Sequence, residues 1–405
     1  VRFACRLLFH RWFSGWYAAW LALVAIPAAE GIELPRFVLP PIEGEVSGQF
    51  DPGLFPGAPE LAWRATVNRA GDRRRWDATL SAPGLRIHFI AELDARGDGD
   101  WSAEIAELDF ALWFPAIQPF LPPDLAALTV AGQLAGSARG SLVGGRLAGQ
   151  ASVRLRGGRI GYPPLKARIE GLSADLSGIE LDELQAPPTQ KLAWTQARFD
   201  VLETGPGRVE FGFAGAQLRV VRAVLALLGG EVTVADAAVA LDRPRLAVEA
   251  EARGLELTRI VALLPPVVAS AKGRLDGRLS VRRDEGGFQL GNGRLSLRAG
   301  ESAEVRFAPS PGLLSSQLPE LVRRHYPGLI QLEAGGVPLV ARELEIRLTP
   351  EGDAEGRSAQ VRLSGGPADP ALQAPVDLQV NVRGPLNSLV QFGTHHRVRF
   401  GEAGR

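Results

Sequence analysis

The sequence predicts a mainly β protein: an elongated antiparallel sheet, either closed on itself as a sandwich or barrel or curled into a trough, with a few short helices and an N-terminal membrane-anchor helix. Three observations predict it. Apolar residues recur at every second position through much of the 405-residue chain. Turns rich in Gly, Asp and Asn separate these stretches at hairpin spacing. An uncharged apolar run follows a basic start.

The basic start is Arg2, Arg6 and Arg11, and the run extends from Trp12 to Ala29. At roughly 18 residues it lies near the lower limit of a spanning helix. Trp12, Phe13, Trp16 and Trp20 crowd its entry with the amphipathic rings expected at a membrane interface, and Leu21 and Leu23 continue its apolar body. A cleaved signal peptide is the competing reading, although Pro27-Ala28-Ala29 fits the small-residue cleavage rule poorly. Either way the basic end stays cytoplasmic and the rest is exported. The reading divides the chain into residues 1–29 as anchor or signal, 30–214 as a β-rich exported region and 215–405 as a C-terminal β-groove region. It places the protein in the inner membrane, single-pass, with its body in the periplasm.

From Arg342 to Leu348 the residues Leu344, Ile346 and Leu348 occupy one face and charged residues the other. Val376, Leu378, Val380 and Val382 alternate with Asp377, Gln379, Asn381 and Arg383. The same period appears at Val153/Leu155, Leu246/Val248, Leu279/Val281, Phe288/Leu290 and Leu295/Leu297. Turns are expected at Arg96-Gly97-Asp98-Gly99-Asp100, Asp284-Glu285-Gly286-Gly287 and Gly291-Asn292-Gly293. Helical periods appear at Gln217–Leu228, Leu257–Leu264 and Leu313–Tyr326, the last interrupted near Pro319. The helix ending in Arg323, Arg324 and His325 is expected to cover the sheet, with gating of a groove or membrane docking as alternatives.

No Ser/Gly linker or charge run divides the chain, so it reads as one elongated body. A weak repeat agrees with that: Leu108-Asp109-Phe110, Leu121-Pro122-Pro123 and Gly132-Gln133-Leu134-Ala135-Gly136 parallel Leu255-Glu256-Leu257, Leu264-Pro265-Pro266 and Gly273-Arg274-Leu275-Asp276-Gly277. Each reads as strand, short helix, Leu-Pro-Pro stop and strand.

Composition excludes several classes. Lys and Arg total 45 against 45 Asp and Glu, which removes the basic footprint of a nucleic-acid binder. The single cysteine, Cys5, forms no internal disulfide or thiolate metal cluster. The histidines His10, His88, His325, His395 and His396 lack the spacing of a metalloprotease site. Asp94, Asp98 and Asp100 surround a Gly-rich turn without the spacing of a calcium loop, so a solvated hairpin is expected. Arg73-Arg74-Arg75 beside Trp76 reads as a solvated turn, with anionic headgroups as the alternative. No catalytic residue, metal ligand or cofactor motif is identified, and the protein is not expected to be an enzyme.

The stretch Leu218–Leu228, then Gly229-Gly230-Glu231-Val232-Thr233-Val234, Leu255-Glu256-Leu257, Gly273 to Arg282 and Phe288 to Leu295 resembles the C-terminal region of YdbH-type proteins. These belong to the AsmA-like group, which includes TamB and YhdP, and the similarity is strongest over about residues 215–400. The resemblance implies an inner-membrane anchor, a curled sheet with a lipid-lined groove, and phospholipid movement between inner and outer membranes. An older label for the domain, dicarboxylate transport, competes, but a trough without a polytopic membrane part offers a dianion no path across a bilayer. Groove-lining positions are then Leu246, Val248, Leu279, Val281, Leu295, Leu297, Leu344, Ile346, Leu348, Val376, Leu378 and Val380. The expected partners are membrane phospholipid, the inner membrane, and an outer-membrane or lipoprotein companion. The alternative function is a periplasmic scaffold that pairs an edge strand with an outer-membrane or secretion partner.

Overall fold

The computed structural model describes residues 43–49, 59–121, 125–199, 202–240, 246–262, 268–284, 287–309, 319–372 and 374–383. Their strands form one antiparallel sheet of 21 strands, as the alternation predicts, and the four described α-helices are eight residues or shorter. The N-terminal run, with Trp12, Phe13, Trp16, Trp20, Leu21 and Leu23, lies outside the described residues. Among the described residues no helix is long and apolar enough to cross a membrane.

The chain divides into two compact units. The first contains β1 (Gly44–Gln49), β2 (Ala62–Ala70), β3 (Arg73–Ala82), β4 (Leu85–Leu93) and β5 (Gly99–Asp109), then α1 (Phe110–Ile117). It continues through β6 (Thr129–Val143), β7 (Arg146–Tyr162), β8 (Ala167–Glu180), β9 (Gln185–Trp194) and β10 (Gln196–Phe199). Strands β1 to β9 pair each with the next, and β10 pairs with β8. Three strands, β11 (Leu202–Ala214), β12 (Gln217–Leu227) and β13 (Gly230–Ala240), contribute residues to both units.

The second unit adds β14 (Leu246–Glu256), α2 (Leu257–Val261), β15 (Val268–Lys272), β16 (Arg274–Asp284), β17 (Gly287–Leu297) and β18 (Ala303–Phe307). Two helices, α3 (Glu320–His325) and α4 (Pro327–Glu333), precede β19 (Leu339–Leu348), β20 (Arg357–Pro367) and β21 (Val376–Arg383). Here β14 pairs with β16, while β15 pairs with β18. The strand–helix–strand units around Asp109 and Glu256 both occur, and in each the residue before the helix donates its amide to a preceding hairpin turn: Asp109 N to Gly84 O at 2.7 Å, and Glu256 N to Leu228 O at 2.8 Å.

Two expectations are corrected. Gln217–Leu227 is strand β12, not a helix. Its β-branched Val220, Val221 and Val224 favour extended backbone. It ends at Leu228-Gly229, where both residues have positive φ (50° and 78°), as a two-residue hairpin turn of type I′ requires. Gly291-Asn292-Gly293 is not a turn but a bulge inside β17, since Leu279 faces Gly293 while Val281 faces Leu290. The third helix begins at Glu320, just past Pro319, and a further helix, α4, starts at Pro327. Proline at the first helical position lacks only an amide that would have no intrahelical partner. Residues 310–318 and 263–267 lie outside the described residues.

Two hairpins share a four-residue loop of the pattern Asp-Ala-x-Gly, Asp94-Ala95-Arg96-Gly97 and Asp353-Ala354-Glu355-Gly356. Asp94 Oδ1 accepts the amides of Arg96 (2.7 Å) and Asp98 (3.0 Å), and Asp353 Oδ1 accepts those of Glu355 and Arg357 (both 2.9 Å). Gly97 (φ 85°) and Gly356 (φ 71°) supply the left-handed residue. In unit 1, Gln190 has no exposed surface and replaces ladder bonds where β8 and β9 separate. It accepts from Ser177 N at 2.8 Å and donates to Ser177 O at 2.9 Å and Pro187 O at 3.0 Å.

The core of unit 2 is its largest: Leu275, Ala303, Leu332, Leu339 and Ala341 have 0% exposure, with α4 contributing Leu329 and Leu332 and α2 contributing Leu257. Truncating Leu275 to Ala there is expected to cost about 2–5 kcal/mol. Val380→Ala, at a position 43% exposed, should cost under about 1 kcal/mol, both costs being read from urea unfolding midpoints.

The carboxyls of Asp94 and Asp353 are both held below the usual carboxylate range. For Asp94 the main cause is the amide of Asp98, and for Asp353 the amide and then the guanidinium of Arg357. Because the folded-state values are depressed, this stabilisation is present above the unfolded carboxylate pKa and is lost as pH falls through the folded one. The thermal midpoint of the unmodified protein should therefore drop between roughly pH 5 and pH 2 by more than that of an Asp94→Asn/Asp353→Asn variant.

Candidate functional site

Cross-strand register in unit 1 sorts the apolar residues into rows perpendicular to the strands. One row is Val67, Trp76, Ala91, Trp101, Gly140 and Gly149, from β2 to β7. The next is Ala65, Ala78, Phe89, Ala103, Ala138, Ala151 and Ile179, reaching β8. A third is Trp63, Leu80, Ile87, Ile105, Gly136, Val153 and Leu176. No charged residue interrupts any of the three.

Burial along these rows changes from strand to strand. Val67, Trp76 and Ala91 are buried, forming a cluster with Leu93 against which Phe89 and Trp101 pack. On β5, β6 and β7 the same face is only half-buried, at Trp101, Ala103, Ile105, Ala138, Ala151 and Val153. Glycine at 140 and 149 is a packing requirement, because a Cβ at either position would collide with the facing backbone, the carbonyl of Ala148 or of Arg139. One end of the face is covered by α1, whose Trp113 packs with Leu61, Leu85 and Leu108 and donates from Nε1 to Pro83 O at 3.1 Å. At the other end the outermost row begins with Arg69 and Arg74 and continues as Leu93, Gly99, Leu142 and Leu147.

The opposite face of these strands is polar and laced across strands. Arg75 meets Glu92 at 2.9 Å, His88 meets Asp77 at 2.8 Å, Ser137 and Ser152 hydroxyls lie 3.0 Å apart, and Gln150 donates to Glu180 at 2.7 Å. Each exposed pair adds little stability alone. Together they fix which face meets water.

In unit 2 the sequence-predicted positions share one face but differ in burial. Leu295, Leu344 and Val376 belong to the closed core, and Leu279, Leu297, Ile346 and Leu378 pack against it. Val248, Val281 and Leu348 are half-buried, and Val380 is 43% exposed. The side chain of Leu246 lies outside the described residues. Register joins Ala252, Gly277, Leu295, Ile346, Val361 and Val380 into one apolar row from β14 to β21. Behind it Glu345 bridges Arg294 (2.8 Å) and Arg347 (3.0 Å). Partial burial opposes its charge, but those two guanidinium donors hold its carboxyl below the usual range.

The rows of unit 1 are the part that sequence reading missed. Their signal is present in Trp63/Ala65/Val67 and Trp101/Ala103/Ile105, but on β6 the inward positions are Gly136, Ala138 and Gly140, whose small size mutes the alternation.

Among the described residues the carboxylates singled out in the sequence do not assemble into a reactive constellation. Asp94 serves its own turn, Asp98 Oδ1 accepts Gly144 N at 2.7 Å, and Asp100 lies 3.7 Å from Arg73. Among the described residues no group of three His, Cys, Asp or Glu side chains is placed to hold a metal ion. His325 stacks edge-on against Tyr326 at 5.2 Å. His10, His395 and His396 lie outside the described residues, and the side chains of Arg323 and Arg324 are likewise not described.

No curated protein and no solved structure gives a significant match to this chain. The model of the YdbH-like family, described as intermembrane phospholipid transport protein YdbH, matches residues 48–318. That span begins in β1 and takes in every row of unit 1, well upstream of the segment where the resemblance in sequence is strongest. It covers more than half of the chain, which therefore belongs to the YdbH-like family of intermembrane phospholipid transport proteins.

Proposed function

We propose that this protein carries phospholipid between the inner and outer membranes of a bacterial envelope without catalysis, holding acyl chains against the apolar face of its sheet. The observation that supports this most directly is the set of three charge-free rows crossing β2 to β7, half-buried on β5 to β7. An acyl chain in water costs about 0.8 kcal/mol per exposed CH₂. Surface of this kind removes that cost at every step along a path. With no charge in the rows, and the hydrogen-bonding side-chain groups limited to the indoles of Trp63, Trp76 and Trp101 on β2, β3 and β5, one position on β6 and β7 resembles the next, and a chain slides there without meeting a deep minimum.

In unit 2 the corresponding surface is the half-buried set Val248, Val281 and Leu348 with exposed Val380, beside a core closed by α4. The lipid-lined groove, the periplasmic body and the single-pass anchor in residues 1–29 belong to this same proposal. Family membership supports an envelope location, and lipid-transport families are in general non-enzymatic.

The test is to purify the protein in mild detergent, extract it with organic solvent and quantify phospholipid by mass spectrometry. Ala138→Asp/Val153→Asp places two carboxylates on the half-buried apolar face. Ser137→Asp/Ser152→Asp places two on the opposite face of the same strands. The first variant should lose bound phospholipid to background with an unchanged far-ultraviolet circular dichroism spectrum, and the second should retain it. Unmodified protein carrying no phospholipid above a mock purification, or equal loss in both variants, sinks the reading.

A further inference from the structure

From β2 to β8 each strand reverses the last, so the connections of unit 1 alternate between two ends of the sheet. Those ends are chemically unlike. At one lie Gly71-Asp72, Asp94 to Asp98, Gly144-Gly145 and Leu181 to Leu184, whose charged residues are Asp72, Asp94, Arg96, Asp98, Asp182 and Glu183. At the other lie Pro83-Gly84, the connection from Phe110 to Leu128 that contains α1, and Pro163 to Lys166. Between Phe110 and Leu128 the sequence carries one charged residue, Asp124.

Helix α1 buries Trp113, Phe114 and Ala116. Its other side does not turn polar, as the water-facing side of a covering helix does: Ala111, Leu112 and Pro115 are exposed, Leu112 at 44%. Gln118 Nε2 donates to Ala126 O at 2.7 Å and draws the rest of the connection back to the helix. There Leu125 is 41% exposed, and Ala126 and Ala127 are exposed after it. Thr129 Oγ1 donates to Gly161 O at 3.2 Å, joining the foot of this connection to the foot of the next, where Pro163 and Pro164 are exposed.

The strands that follow are basic. Residues 125–169 contain seven Arg and Lys and no Asp or Glu. Of these, Arg156, Arg159, Lys166 and Arg168 stand at the α1 end of β7 and β8 and are exposed. Flanking strands supply carboxylates, Glu107 opposite Arg86 in register and Glu170 at 2.6 Å from Arg168, so the basic character belongs to β6 and β7. An uncharged surface left in water is costly unless something apolar meets it. A bilayer interface accepts apolar side chains without matched hydrogen bonds, and anionic headgroups complement a basic flank. A family that moves phospholipid between membranes has to meet one.

We propose that the α1 end of unit 1 docks on the surface of an anionic bilayer, with Leu112 and Leu125 entering the headgroup layer and Arg156, Arg159 and Lys166 meeting its phosphates. Docking adds to the carrier reading a point of membrane contact within the sheet itself, and it requires no lipid on the rows.

The experiment uses the full chain in a Cys5→Ser background, with an environment-sensitive fluorophore on Ala127→Cys or on Val143→Cys, the latter at the opposite end of β6 and 62% exposed. Vesicles are equal parts phosphatidylglycerol and phosphatidylcholine with brominated acyl chains, which quench only a fluorophore that reaches the membrane. The place of contact is what is read, so attachment through any other segment does not decide the outcome. Emission from Ala127→Cys should fall roughly twofold and shift to the blue, and emission from Val143→Cys should not change. Leu112→Ser/Leu125→Ser should abolish the quenching with circular dichroism unchanged. Arg156→Gln/Arg159→Gln should weaken it, as should vesicles of phosphatidylcholine alone. No quenching at Ala127→Cys, equal quenching at both positions, quenching that survives Leu112→Ser/Leu125→Ser, or equal quenching by phosphatidylcholine alone overturns the assignment. A blue shift at Ala127→Cys that needs no vesicles and grows with protein concentration identifies a second copy as the occupant and overturns it as well. Quenching at Ala127→Cys in protein that carries no extractable phospholipid keeps the docking and defeats the carrier reading alone.

Discussion

Everything in this molecule depends on the two-residue period of paired extended strands being kept from one strand to the next. A slip of one residue in any pairing sends its whole apolar set to the water side. The rows of unit 1 stay charge-free across six or seven strands because each irregularity is absorbed locally. The clearest case is β5, where Ile105 and Leu108 both face inward although they are three residues apart. There Ile105 faces Gly136 and Leu108 faces Leu134, so the extra residue bulges and the face is recovered. The Gly291–Asn292 bulge serves β17 in the same way, and the Ser280 hydroxyl ties it down by donating to Asn292 O at 2.9 Å.

Against that constraint the two faces have separate roles. The polar face carries diagonal cross-strand ion pairs, such as Arg294–Glu345 and Arg362–Asp377, which keep that face toward water. The apolar face gives the energy of folding where it is closed, as beneath α4, and offers unsatisfied apolar surface where it is half-open, as on β6 and β7. A closed core and a half-open surface are therefore the same chemistry at two degrees of cover. The difference lies in which helices sit on it.

Strand identity was largely legible in the sequence because alternation is a local signal. The strands at Leu344–Leu348 and Val376–Val382 follow from it directly. The misreading of Gln217–Leu228 has a physical origin, since Leu218, Val221, Leu225 and Leu228 satisfy a helical period while Leu218, Val220 and Val224 equally satisfy a strand. Only the pairing available on either side selects between them. Helix α4 was hidden because Pro327-Gly328 looks like a breaker from within one window and is a start signal only once Leu329 and Leu332 have a core to enter. The degree of cover was not legible at all. Leu295 and Val380 carry the same pattern, yet one is 6% exposed and the other 43%, which depends on distant elements arriving on that face.

The order of pairing also bears on how such a chain becomes a sheet. From β2 to β8 every strand joins the one made just before it, through connections as short as Gly144-Gly145. Contacts of this kind close small loops and need no distant partner. The growing end of the sheet is always ready for the next strand, so a chain delivered gradually from its N-terminus accumulates structure at the pace of its delivery. Two strands depart from this order: β10 returns to β8, and β15 is passed over when β16 joins β14 and waits for β18. Assembly at these points cannot be strictly sequential, and each unit contains such a pause.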